Sequence, residues 1–101
     1  MAQFDVYKNS NTKTATEIPY FIDIQHNVSS ELNTRLVIPM YSNIAALKKL
    51  NVACEVEGQA LTILTNKITS VPKYLLDDKV TNLSQHRDEI IASIDFLITG
   101  F

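Results

Sequence analysis

The chain has 101 residues, of which 46% are hydrophobic and 20% charged, and its formal net charge is −2. This length predicts one domain over residues 1–101 with a modest apolar core, and the two arginines argue against a protein that binds nucleic acid directly. The single cysteine, Cys54, excludes an intrachain disulfide. Because we find neither a signal-peptide pattern nor a membrane-spanning apolar run, we expect a cytoplasmic protein without membrane contact.

The pattern of apolar residues predicts three strands in the first half of the chain, two by alternation and one by a continuous apolar run. The first covers residues 3–7 and the second residues 20–25, and the polar segment 8–17 between them predicts a long hairpin loop. Residues 35–39 form a nearly continuous apolar run, which is typical of a strand covered on both faces. Pro39 indicates the end of that strand or an edge position.

The second half of the chain predicts a hairpin, a short strand and a helix. Residues 52–56 and 59–65 flank the turn Glu57-Gly58, and residues 68–71 favour a further short strand. A short helix is also predicted within residues 41–50. We interpret Asp77-Asp78 as a turn rather than a site.

The C-terminal segment has the clearest pattern. A helix is predicted from about Ser84, with Asn82 as its N-cap and Gln85 as the N3 partner, and Gly100 supplies a left-handed terminus. One apolar stripe is formed by Ile90, Ile91, Ile94, Leu97 and Ile98. Phe96 lies outside that stripe, so it either covers a partner or packs against Phe101; both alternatives stay open. Together, the predicted strands and this helix indicate a bent β-sheet with one helix packed against it.

Residues that carry chemistry are sparse. The two histidines, His26 and His86, stand in unrelated segments, and two glycines are too few for a phosphate-binding loop. We therefore predict no catalytic site, no metal site and no cofactor. Asp23 lies within a predicted strand, where structural pairing with Arg35 is favoured over a role in an acid–base pair.

Several short motifs occur together in a characteristic order. They are an opening Q-F-x-V-Y, then FIDIQ at 21–25, TRLVIP at 34–39, TSVP at 69–72, Leu83-Ser84 and a final Gly100-Phe101. In this order the chain resembles the CcdB family, the toxins of CcdA/CcdB toxin–antitoxin modules, although residues 46–67 match poorly. The resemblance implies a mainly β fold, a small SH3-like partial barrel of CcdB type with a C-terminal α-helix, assembled as a homodimer.

The resemblance also implies a function that needs no active site. Toxins of this family bind the A subunit of DNA gyrase and trap its cleaved-DNA complex, so we expect a gyrase poison that is not itself an enzyme. The implied gyrase-binding residues are Val28, Asp95, Ile98, Thr99, Gly100 and Phe101. Thr99 departs from the family, which has tryptophan there, and the change removes a large apolar anchor.

An antitoxin is the second implied partner. The resemblance predicts a disordered CcdA-like antitoxin that binds near Tyr7, Asp23 and Arg35. The long polar loop 8–17 further predicts that the strands beside it offer an exposed edge for peptide addition. Two alternatives remain. One is an endoribonuclease toxin of MazF-like fold, and the other is a decoy that binds antitoxin without poisoning gyrase. The homodimer is predicted to bury apolar residues that include Met40 and Ile98.

Overall fold

A computed structural model describes residues 1–26, 32–42 and 51–100 of the chain. In these residues seven strands precede one α-helix, and three 3-10 turns lie at Thr65–Lys67, Lys73–Leu75 and Ser84–His86. The strands are β1 (Asp5–Asn9), β2 (Tyr20–Asp23), β3 (Thr34–Tyr41), β4 (Asn51–Val56), β5 (Gln59–Leu64), β6 (Thr69–Pro72) and β7 (Leu76–Asn82), and the helix is α1 (Arg87–Thr99). The short helix predicted within residues 41–50 falls outside the described residues except at Tyr41, which ends β3, and at Ser42.

The described strands form one curled, antiparallel sheet that resembles half a barrel. Its order is β4-β5-β3-β2-β1-β7, and β6 pairs with β3. β3 is the central strand, since it pairs with β2 on one side and on the other side first with β6 and then with β5. The prediction of a mainly β partial barrel with a C-terminal helix is confirmed.

Pro39 lies inside β3, so the prediction that it marks the end of the strand or an edge is wrong. It is opposite Phe21 of β2, and β3 continues to Tyr41. On the other side of β3, residues 34–37 pair with β6 and residues 40 and 41 pair with β5. Pro39 therefore sits at the junction of β6 and β5, where the ladder tolerates a residue without an N–H.

The pair Asp77-Asp78 belongs to β7, an entire strand that the sequence did not predict. β7 pairs with β1, and the pairing shifts register twice, between Val6 and Tyr7 and between Tyr7 and Asn9. These irregularities, together with three consecutive exposed charged residues, remove the apolar alternation that would have indicated a strand.

The hairpin of β4 and β5 is confirmed, and its turn lies where the sequence placed it. Glu57 has φ 51° and Gly58 has φ 77°, so both central residues adopt the left-handed conformation of a two-residue hairpin turn. The two strands pair continuously from Val56 opposite Gln59 to Asn51 opposite Leu64. β6 likewise confirms the predicted short strand, one residue displaced.

Two apolar clusters lie on opposite faces of the sheet. The larger cluster joins the sheet to α1 and includes Ile22, Ile38, Met40, Ile63 and Ile90. The smaller one is built on Phe21, Val37 and Val71. Met40 is fully buried in the larger cluster, so the prediction that it contributes to an exposed dimer surface is wrong.

The helix begins at Arg87, after the 3-10 turn Ser84–His86, and not at Ser84 with Asn82 as its cap. Asn82 ends β7 instead, where its Oδ1 accepts a hydrogen bond from the Ser84 N–H at 2.9 Å. Asp88 and Glu89 stand in the first helical turn, where carboxylates interact favourably with the helix dipole. The predicted left-handed end is confirmed, because Gly100 has φ 77° and its N–H donates to the Phe96 carbonyl at 2.9 Å.

The predicted apolar stripe of α1 is only partly buried. Ile90 is fully buried, whereas Ile91 and Ile94 are half-buried. Leu97 and Ile98 are exposed, and Ser93 takes a buried place that the stripe did not include. The last turn of the helix thus keeps its large apolar side chains in solvent.

Candidate functional site

The C-terminal end of α1 brings together four of the six residues predicted to bind gyrase. Asp95, Ile98, Thr99 and Gly100 lie within the last turn and a half of the helix and all are exposed. The Thr99 hydroxyl donates to the Asp95 carbonyl at 2.7 Å, which ties this side chain to its own helix. The other two predicted residues, Val28 and Phe101, lie outside the described residues.

This end of the helix has an apolar surface. Ile98 is 75% exposed and its neighbour Leu97 is 40% exposed. Asp95 is the only charged residue between residues 90 and 100. The apolar pattern predicted that Leu97 belongs to the buried stripe. The only signal that it is exposed was its position near the C-terminal end of that stripe. An apolar surface with one carboxylate suits contact with a protein.

The second group of predicted residues lies on the opposite side of β1, β2 and β3. Asp23 and Arg35 form an ion pair of 2.7 Å, and both side chains are 0% exposed. The Arg35 Nε also donates to Asp23 at 2.8 Å, and the Gln25 N–H donates to the other carboxylate oxygen at 2.9 Å. The predicted structural pairing is confirmed. Burial raises the pKa of Asp23, and its hydrogen bonds from Gln25 and Arg35 oppose that increase.

Asp5 forms a neighbouring polar centre that the sequence analysis missed. Its carboxylate accepts hydrogen bonds from the Ala2 N–H, the Tyr7 hydroxyl and the Asn82 amide, and Lys79 Nζ lies 3.2 Å away. Burial alone would raise the pKa of Asp5, but these donors outweigh it and lower the pKa. The available signal was the position of Asp5 between two apolar strand residues, the same pattern that drew attention to Asp23.

Tyr7, Asp23 and Arg35, the residues predicted to bind antitoxin, are therefore buried together. Burial, followed by the Asp5 charge and hydrogen bond, raises the pKa of Tyr7 to about 12. All three side chains are buried in the fold, so they offer little surface to a partner. Their direct contact with an antitoxin stays a prediction.

The first hairpin offers no free strand edge, so the prediction of an exposed edge there is wrong. β1 lies between β2 and β7, and β2 lies between β1 and β3. The loop between β1 and β2 is also held by hydrogen bonds. The Asn9 amide donates to Thr14 and to the Ile18 carbonyl, both at 2.9 Å, and the Ser42 hydroxyl donates to the Thr16 carbonyl at 2.9 Å.

The described residues contain no group of three or more histidine, cysteine or acidic side chains that could hold a metal ion. Cys54 is half-buried, and burial, with a smaller effect of Glu89, raises the pKa of its thiol to about 11, so it stays protonated at neutral pH. His86 contacts Glu89 at 2.9 Å on the helix surface. Within the part of the chain that the structure describes, no helix has the length and apolar character to cross a membrane.

The sequence profile of a protein family described as CcdB protein matches residues 3–100. The chain belongs to the CcdB family. Membership in this family supports a role as the toxin of a toxin–antitoxin module. Among curated protein sequences, none matches this CcdB family member.

Solved structures of endoribonucleases share its fold. An endoribonuclease in complex with its cognate antitoxin, from a mycobacterial species, superposes with a TM-score of 0.78 at 11% identity, covering 97% of this chain and 94% of the other. An endoribonuclease from a mycobacterial species gives 0.76 at 10% identity, covering 97% and 90%. At such low identity the likeness extends to the fold alone.

Proposed function

We propose that this CcdB family member is the toxin of a toxin–antitoxin module in the cytoplasm and acts by binding the A subunit of DNA gyrase. The binding surface is the end of α1, and the result of binding is a trapped complex of gyrase with cleaved DNA. The observation that carries the proposal is the exposure of Ile98, at 75%, on a helix end where the described contact residues Asp95, Thr99 and Gly100 are also exposed. Membership in the CcdB family supports the choice of gyrase as the target, because the resemblance to that family implies it.

Binding is favoured over catalysis by the character of the side chains. One of the two arginines, Arg35, is buried against Asp23, and the other, Arg87, lies 3.5 Å from Asp88. An RNA-cleaving site needs accessible cations and convergent acid–base groups. Among the described residues, the exposed positive charge beyond Arg87 comes from dispersed lysines, which favours contact with protein over contact with RNA.

Thr99 replaces the family tryptophan, so the apolar anchor must come from other residues. The Thr99 hydroxyl is engaged with its own helix, whereas Ile98 and Leu97 present apolar area to solvent. We infer that these two side chains provide the centre of the contact and that Asp95 provides a flanking charge.

Two further partners belong to this proposal. A homodimer would cover other exposed apolar surface, such as Leu36, and would leave Leu97 and Ile98 available to gyrase. A CcdA-like antitoxin would release the toxin from gyrase. Light scattering at micromolar concentration tests the dimer, since a species of only 11.4 kDa would contradict it.

Purified gyrase with supercoiled plasmid tests the function directly. The parent chain is expected to produce cleaved plasmid in an ATP-dependent reaction, and Ile98→Asp is expected to lower that yield at least tenfold. Tyr74→Asp is the matched control, because Tyr74 is 83% exposed but lies in the Lys73–Leu75 turn rather than on α1. Equal activity of the two variants would contradict the assignment of the helix end.

An endoribonuclease toxin is the second candidate, because the two mycobacterial structures compared above are endoribonucleases and match almost the whole chain. Incubating the parent chain with total RNA distinguishes it from the gyrase poison. Cleaved RNA with intact plasmid would establish the endoribonuclease. If neither the RNA nor the plasmid is cleaved in these reactions and the chain still binds antitoxin, the chain is the decoy.

A further inference from the structure

A pair of buried hydroxyl groups joins the middle of α1 to the rest of the fold. Thr65 Oγ1 lies 2.8 Å from Ser93 Oγ, and both residues are almost completely buried. Ser93 donates its own hydrogen to the Ile90 carbonyl at 2.8 Å. Because a hydroxyl has one hydrogen, Thr65 is the donor to Ser93, and the two bonds run in sequence from the Thr65–Lys67 turn into the helix.

Apolar packing alone leaves the rotation of α1 weakly determined. Ile90 is the only fully buried apolar residue of the helix, and Ile91 and Ile94 are half-buried. Apolar contact has no preferred direction, so a small rotation exchanges one half-buried isoleucine for another at little cost. A hydrogen bond between two buried side chains is directional, and a rotation that breaks it leaves a buried hydroxyl unpaired.

We propose that Thr65 and Ser93 are positioning residues that fix the rotation of α1 and, through it, the presentation of Asp95 and Ile98. At about 100° per residue, Asp95 and Ile98 lie roughly 200° and 140° around the helix from Ser93, on the side facing away from the bond. Side-chain atoms lie about 5–6 Å from the helix axis, so a rotation of about 20° moves them by about 2 Å. That displacement is enough to misalign a contact centred on one side chain. The inference rests on the proposed role of the helix end in binding.

The test removes the bond without leaving an unpaired donor. The double variant Thr65→Val/Ser93→Ala eliminates both hydroxyls, and Thr65→Val alone is a milder second variant in which Ser93 still bonds to Ile90. Residual dipolar couplings of the α1 amides measure helix orientation in the full chain, and surface binding to purified gyrase A subunit measures affinity. In the double variant and in Thr65→Val we expect changed couplings confined to α1 and a loss of affinity for the gyrase A subunit of at least tenfold. Thr65→Ser keeps the hydroxyl, so its affinity should stay within about threefold of the parent.

Ser42→Ala is the matched control. Ser42 is also buried and its hydroxyl also bonds to a carbonyl, but it holds the first hairpin loop rather than the helix. It should lower the melting temperature comparably and leave both the α1 couplings and the affinity unchanged. Unchanged couplings in both Thr65→Val and the double variant would overturn the inference, as would an equal affinity loss in Ser42→Ala. If the parent itself fails to bind gyrase A subunit, the proposed function fails, and the couplings still decide whether the hydroxyl pair positions the helix.

Discussion

Replacing Asp23 by asparagine should destabilise the fold more than almost any other single polar substitution. The change keeps the size of the side chain and removes the charge that faces Arg35 at 2.7 Å. Both side chains are fully buried, and Nη1 of Arg35 already has no hydrogen-bond partner among the described residues. The Arg35 charge would therefore stay in the interior without a counterion.

The expected loss is about 3–5 kcal/mol, the range found when one member of a buried ion pair is removed. A domain of this size is stable by only about 5–15 kcal/mol, so the melting temperature should fall by at least about 12 °C. Urea unfolding and calorimetry of Asp23→Asn measure both quantities. Arg87→Gln is the control, since its pairing with Asp88 is exposed and should contribute almost nothing.

The double variant Asp23→Leu/Arg35→Met tests the physical reason. Burial is the larger influence on the pKa of Asp23 and exceeds the effect of the pairing. An apolar pair of similar volume should therefore recover most of the loss. A cost below about 1 kcal/mol for Asp23→Asn would refute this reasoning. If antitoxin affinity fell while stability stayed constant, the predicted contact role of Asp23 would be correct instead.

Three further changes have defined outcomes. Asp5→Asn should reduce the loss of unfolding free energy at acid pH. Because the pKa of Asp5 is lowered, its contribution to stability is present above pH ~4 and is lost as pH falls below that value. Urea unfolding of the parent and the variant at pH 5 and pH 3 measures the difference. Tyr20→Phe should cost about 1 kcal/mol, because the Tyr20 hydroxyl donates a hydrogen bond to Glu57 at 2.7 Å. Tyr7 and Tyr20 both have a pKa raised to about 12, so the stability of the parent should decline as pH rises from 10 toward 12. Absorbance titration that shows both phenolates forming near pH 10 would contradict this. Gly58→Ala should cost about 1 kcal/mol because φ is 77° there although no atom lies near the new methyl group, and a neutral effect would show that the turn changes type.

The features that the sequence predicted correctly are those determined by neighbours in the chain. The Glu57-Gly58 turn, the left-handed Gly100 and the alternation of β2 depend on local conformational preferences. The pairing of Asp23 with Arg35 was also accessible, because a charge between two isoleucines needs a counterion and only two arginines exist.

The features that it missed depend on which elements become neighbours in space. β7 has little alternation and is held by its pairing with β1, and Asn82 bonds to Gln3 and Asp5 rather than to the helix. The end of α1 has the residue spacing of a buried stripe, yet Leu97 remains exposed. Periodicity identifies the face of a helix, but the extent of the surface opposite it determines how many turns are covered.

The low identity to the mycobacterial endoribonucleases indicates where function must be decided in this fold. A TM-score of 0.78 at 11% identity means that very different sequences adopt this half-barrel, so function must be argued from individual side chains and not from the fold. In this CcdB family member the buried polar groups are used for the fold itself: Arg35 neutralises Asp23, and Thr65 bonds to Ser93. The exposed end of α1 has one carboxylate among apolar side chains, which suits a protein target better than a polyanion because a phosphate backbone would be repelled by Asp95 and would gain nothing from Ile98. Substituting Asp95 by lysine therefore separates the two functions, since it should weaken a contact with gyrase and would leave unaffected, or strengthen, any binding to RNA.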